Sequence, residues 1–216
     1  MIRLRPIVPL LLLVVASAAQ AQEPRLAGRV PEAARAQVDA ILGAARNRGL
    51  PIEPLVDRAL EGAAKGAAPG MIVAAVTRLR DELILVREAF GNGASTAELT
   101  AGASALRAGA TGAALSRLRV SRTGRALTVA AAVMADLVAA GVPADTAVGA
   151  VLALASDADD TDYLTFRRNV QRDIALGASP SAALAIRIRA AVSNADGTAS
   201  PGTGSTAQGA ERKRKP

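Results

Sequence analysis

The clearest hydrophobic pattern in the chain lies between Pro69 and Phe90. There Ile72, Val76, Leu79, Leu83, Val86 and Phe90 step by four, three, four, three and four residues, one apolar stripe along a helix. The stripe covers barely three heptads, so it predicts a central core helix rather than a coiled-coil seam. Arg78 and Glu82, four apart, are placed to pair on its outer side. Shorter stripes predict the other helices. Val38, Ile41 and Leu42 share a face from Pro31 to about Arg48. Leu55, Ala59 and Leu60 follow Pro54 and lead to Lys65. Ser95 or Thr96 caps a helix reaching Arg107, with Glu98 at the capping-box spacing from Ser95. Thr111 caps a short helix to Val120. Met134, Leu137 and Val138 lie inward between Leu127 and Ala140, and Val148, Val151 and Leu152 between Pro143 and Ala155. Thr161 or Asp162 starts a helix bearing Tyr163, Phe166, Val170 and Ile174. Pro180 opens the last, with Leu184, Ile188 and Val192 in line.

The breaks between these stretches repeat one device. In Leu137-Val138-Ala139-Ala140-Gly141-Val142-Pro143, Gly141 can take the left-handed conformation that closes a helix, and Pro143 is pre-set for the first turn of the next. Related turns surround Gly49, Gly66, Gly109 and Gly177. Gly109, Gly141 and Gly177 are 32 and 36 residues apart, whereas Gly49 and Gly66 are only 17 apart. In length the later spacing resembles that of tetratricopeptide and HEAT-type arrays, without the aromatic and proline signatures of a tetratricopeptide repeat. The expected fold is all-α. Paired helices are joined by Gly-x-Pro, Gly-x-Ser or Gly-x-Thr turns, as an irregular α-solenoid or a compact multi-helix bundle.

Composition sharpens this reading. Half the residues are hydrophobic but only 1% are aromatic: Phe90, Tyr163 and Phe166. A core must be built from Ala, Leu, Val and Ile, which suits closely approaching helices. The chain has no His, Cys or Trp. That removes disulfides, thiol nucleophiles, a lipid-anchor cysteine, structural zinc and a Ser-His-Asp triad. A metal site would have to be all oxygen.

The ends are of a different kind. Residues 1–21 read as a secretory signal peptide. Arg3 and Arg5 are followed by a short apolar run from Ile7 to Ala16 and a small-x-small site at Ala19-Gln20-Ala21. Cleavage between Ala21 and Gln22 is expected, giving an exported protein, periplasmic or extracellular. Loss of Arg3 and Arg5 lowers the basic residues from 26 to 24 against 19 acidic ones, a net charge of +5 instead of +7. Residues 22–30 read as a linker, 31–194 as the helical domain and 195–216 as a disordered basic tail ending in Arg212, Lys213, Arg214 and Lys215.

Candidate chemistry is sparse. The loop Asp157-Ala158-Asp159-Asp160-Thr161-Asp162 starts like an EF-hand. It then departs, with Asp162 where glycine is needed and Arg168 where a bidentate glutamate is needed. Helix capping is the expected role of these carboxylates. Between Glu98 and Asp136 there is no acidic residue, but there are Arg107, Arg117, Arg119, Arg122 and Arg125, a candidate anion-binding stretch. It lacks aromatic residues for base stacking, so no nucleic-acid partner is expected. No catalytic residue, metal site or cofactor is assigned. The expected function is that of a non-catalytic interaction or scaffold protein of the cell envelope, its partner another envelope protein or peptide. The alternative is a binder of anionic surfaces, lipid or lipopolysaccharide, through the arginine stretch and basic tail. A carboxylate-based hydrolase is the third reading, and it requires two carboxylates converging in a pocket.

Overall fold

The computed structural model describes residues 23–198; the stretch read as a signal peptide, Gln22 and residues 199–216 of the expected tail lie outside them, whereas residues 195–198, expected in that tail, continue the last helix. Among the described residues the fold is all-α, with no strand. Nine helices follow a short 3-10 turn at Pro24–Leu26: α1 (Glu32–Asn47), α2 (Glu53–Ala64), α3 (Pro69–Phe90), α4 (Thr96–Arg107), α5 (Gly112–Ser121), α6 (Thr128–Ala139), α7 (Ala144–Ala153), α8 (Asp160–Ala175) and α9 (Pro180–Thr198). The six residues of the α3 stripe are all buried. Glu82, expected on the outer side of α3, is instead buried, with Arg107 of α4 3.3 Å from its Oε2.

The local signals behave as chemistry dictates. Ser95 Oγ accepts the N–H of Glu98 while the Glu98 carboxylate accepts the N–H of Ser95, a complete capping box. Thr111 Oγ1 accepts the N–H of Ala114. Helix α8 starts one residue earlier than Thr161, because Asp159 takes the cap and Asp162 closes its capping box. Five helices end in one motif. At α6 the N–H of Gly141 donates to Val138 O and that of Val142 to Leu137 O, with Gly141 at φ +92°. Gly49, Gly66, Gly109 and Gly177 repeat this pair of hydrogen bonds. Pro143 stands at the cap position of α7, one residue before its first turn.

The helical region divides into two compact units between Arg80 and Asp81, a point that falls within α3. In the first unit the stretch expected as a linker folds onto α2, burying Leu26 and Val30. Helix α1 buries Ala34, Val38, Leu42 and Ala45, and α2 buries Leu55, Val56 and Ala59. Gly62 of α2 lies against Ile72 of α3.

In the second unit the helices fall into two rows. α4 packs on α6 and α6 on α8; α5 packs on α7 and α7 on α9. The hairpins α4–α5, α6–α7 and α8–α9 are therefore stacked like on like, the arrangement of a short helical-repeat stack. The turn glycines carry the contact from one hairpin to the next. A Cβ on Gly109 would lie 2.9 Å from the Cβ of Ala144, the first residue of α7. A Cβ on Gly141 would lie 3.2 Å from Cγ of Pro180, the first residue of α9. Gly177, in the last hairpin, faces open space.

Gly149 in this unit has no such neighbour and sits in the interior of a helix. It lies exposed within α7, with nothing near its Cβ position. Gly149→Ala is expected to stabilise the protein by about 0.5–1 kcal/mol, read as a higher urea midpoint with an unchanged slope. A lowered midpoint would show that this surface of α7 is in contact with something.

Candidate functional site

The second unit carries four features on which function can rest. The first is a shallow groove of about 440 Å³ between α4 and α6, lined by Ala97, Thr100, Ser104, Ala132, Ala135 and Asp136. Alanine at helical spacing leaves the floor low. Its hydroxyls are turned inward along their own helix: Thr100 Oγ1 donates to Thr96 O at 2.9 Å and Ser104 Oγ to Thr100 O at 3.1 Å. Its one carboxylate, Asp136, takes Arg167 of α8 at 2.5 Å.

The second feature is the arginine stretch, which the fold distributes among different tasks. Arg107 reaches Glu82 and donates to Ser104 Oγ. Arg117 and Arg119 are exposed on α5. Arg122 is 2% exposed. Its Nη1 donates to Ala158 O at 2.6 Å, its Nη2 to Asp160 Oδ1 at 2.9 Å and its Nε to Ala126 O at 3.2 Å. The guanidinium lies over the ring of Tyr163, 5.0 Å from the centroid. Arg125 donates to Ser156 O and Ala158 O. So Arg107, Arg122 and Arg125 are engaged with internal partners, and the five do not form one open patch.

The acidic loop is the other side of the same clamp. Asp159 and Asp162 cap α8, and Asp160 receives Arg122. The N–H of Asp162 holds the Asp159 carboxyl below its ordinary range, against a smaller opposing effect of burial. Tyr163 below the clamp donates its hydroxyl to Val151 O at 2.9 Å, and burial pushes its ionisation up. Among the described residues no three His, Cys, Asp or Glu side chains group as a metal site. The sequence signal for the clamp was the charge complementarity of Arg122 and Arg125 with a loop more than 30 residues later, which no local pattern connects.

Glu98 ties the hairpins together elsewhere. Besides its cap, it accepts the N–H of Leu127 at the start of α6. Burial pushes its carboxyl up, but the N–H groups of Ser95 and Leu127 outweigh it and hold the group below the usual carboxylate range.

The last feature is the edge hairpin α8–α9. Arg187 of α9 grips Asp173 of α8 through two bonds, at 2.6 and 2.7 Å, and so fixes the pair. The two helices present different exposed residues. Those of α8 include Leu164, Thr165, Arg168, Gln171 and Arg172; those of α9 include Ser181, Ala182, Ala185, Ile186, Arg189 and Ala190. Ile186 is 56% exposed, and Leu176 beside the last turn is 80% exposed. Among the described residues no further helix follows to cover them. No helix described here is long and apolar enough to cross a membrane. Comparison with family models, with curated proteins and with solved structures finds no match to this chain.

Proposed function

We propose that this chain is a non-catalytic, exported interaction protein of the cell envelope whose edge hairpin docks a helix of a partner protein. One observation carries the reading. The turn glycines of the first two hairpins are covered by the next hairpin, whereas Gly177 is open and lies beside exposed Leu176 and the alanine-rich face of α9. An edge hairpin that exposes Leu176, Ile186 and several alanines, with Arg189 among them, offers another helix both close approach and a charged contact. Its poverty in Trp and Tyr suits modest affinity, because those residues dominate interface hot spots. The export signal in the sequence supports the compartment.

The test is site-specific photo-cross-linking in intact cells from position 186, followed by recovery of the envelope fraction at low and high salt. One defined protein adduct, retained at high salt and reduced about tenfold by Leu176→Arg, is the expected result, since a charge at an apolar contact costs roughly 1.4 kcal/mol or more. Release by salt without an adduct would favour an anionic surface held by Arg117, Arg119 and the basic tail. Recovery as a free monomer at both salt concentrations would overturn both readings.

A further inference from the structure

We propose that the Asn92–Gly93 peptide between α3 and α4 is a self-modification site: the nitrogen of Gly93 closes on the Asn92 side chain and expels its amide, and Arg87 promotes the step. It is independent of the docking reading.

The chain has four asparagines, and only Asn92 is followed by glycine. Asparagine is a chemically labile residue, and a glycine after it leaves no Cβ to crowd a closing ring. Asn92 and Gly93 are both exposed. They form the middle of a turn closed by the N–H of Ala94 on Gly91 O at 3.1 Å. Among the described residues neither the Gly93 N–H nor the Asn92 side-chain amide has a hydrogen-bond partner. The nucleophile and the group it attacks are therefore both uncommitted. The asparagines of α1 and α8 are placed differently. Asn47 ends α1, and the N–H of Arg48 after it donates to Ala45 O at 3.1 Å. Asn169 lies inside α8, before the β-branched Val170, whose N–H belongs to the helical ladder.

Ring closure needs Gly93 N without its proton. Loss of that proton to solvent hydroxide leaves a negative charge on the amide, most of it on Asn92 O. Arg87 Nη1 donates to this oxygen at 3.0 Å, so a cation stands where the charge develops. The nitrogen then bonds to Cγ of Asn92. The Cγ–Nδ2 bond breaks, and Nδ2 leaves as ammonia with a proton from water, which restores the hydroxide. Water opens the cyclic imide at one of its two carbonyls. Opening at Cγ gives aspartate at position 92. Opening at the main-chain carbonyl leaves the chain running through Cγ and lengthens the backbone by one methylene. Both products carry a new carboxylate near Arg87. The second also lengthens the turn that sets the entry of α4, so the junction changes one way with age.

The experiment incubates the purified full chain in mildly alkaline buffer. Peptide mapping by mass spectrometry reads amide loss at each asparagine and separates the two products. Asn92 is expected to convert at least about tenfold faster than Asn47 and Asn169. Gly93→Ala is expected to slow it by about tenfold or more. That variant keeps the fold, because a Cβ there meets nothing within 4 Å and the backbone is not left-handed. Arg87→Gln is expected to slow conversion about threefold or more in the native protein but not in concentrated urea, where the contact is gone. Arg87→Lys, which keeps a cation, should restore most of the rate, and thermal melting of each variant checks its fold. Conversion of Asn92 no faster than that of Asn47 and Asn169 overturns the proposal, as do equal native rates in the wild type and a folded Arg87→Gln.

Discussion

Replacing Arg122 with alanine will destabilise the second unit by about 3 kcal/mol, the scale expected when one partner of a buried, charged hydrogen-bond network is removed. For a chain of this size that corresponds to a melting temperature lower by about 10 °C. The guanidinium supplies three donors in one plane, to Ala126 O, Ala158 O and Asp160, while its face covers the ring of Tyr163. No other side chain reproduces that combination. Arg122→Lys keeps the charge but loses the planar fork, and is expected to recover less than half of the loss. Arg122→Met keeps much of the volume without donors, so its position between alanine and wild type separates packing from hydrogen bonding. Thermal unfolding followed by circular dichroism reads all three. A shift below about 2 °C for Arg122→Ala would show that Arg125, which also donates to Ala158 O, holds the loop by itself.

The second large effect is expected at Gly102. Helix α4 passes so close to α3 that a Cβ there would lie 2.5 Å from Cγ1 of Val86, 3.0 Å from its Cγ2 and 3.1 Å from Cε2 of Phe90. Gly102→Leu should cost about 3 kcal/mol or more, because a close-packed interior has no room for it. Gly102→Ala sets the gain of roughly 1 kcal/mol in helix propensity against overpacking of about 1–3 kcal/mol, and should still lower the urea midpoint. Adding Val86→Ala should return part of that loss, since it removes the atoms that the new Cβ meets. If Gly102→Ala alone stabilised the chain, the close approach of α3 and α4 would not hold in solution.

Much of the architecture was legible because its causes are local. The α3 stripe, the Ser95 capping box and the five glycine closures each depend on residues within one or two turns, and a sequence displays those directly. The two glycine intervals of 32 and 36 residues also pointed to helical hairpins, while leaving open whether these form a solenoid or a compact bundle. What stayed hidden depends on partners far along the chain. Arg122 sits in a run of arginines that reads as a solvated face; its burial follows from Ala158 and Asp160, 36 and 38 residues later. Glu98 shows its capping role by spacing, but not its second bond, to Leu127. Asp39 interrupts the polar side of α1 and is buried because the chain at Glu23 folds back over it. Leu26 and Val30, too few to make a periodic stripe, were read as linker for the same reason.

The contacts of Gly109 with Ala144 and of Gly141 with Pro180 bear on how such a chain can change length. Each joins a turn to the helix that starts the following turn's second arm, so the geometry is carried by a segment of some thirty residues and not by the unit as a whole. Duplicating or deleting one such segment would lengthen or shorten the row while leaving every remaining junction of the same kind. The open turn at Gly177 is then the growing point of the row, where one more copy of the segment would find the seat its predecessors occupy.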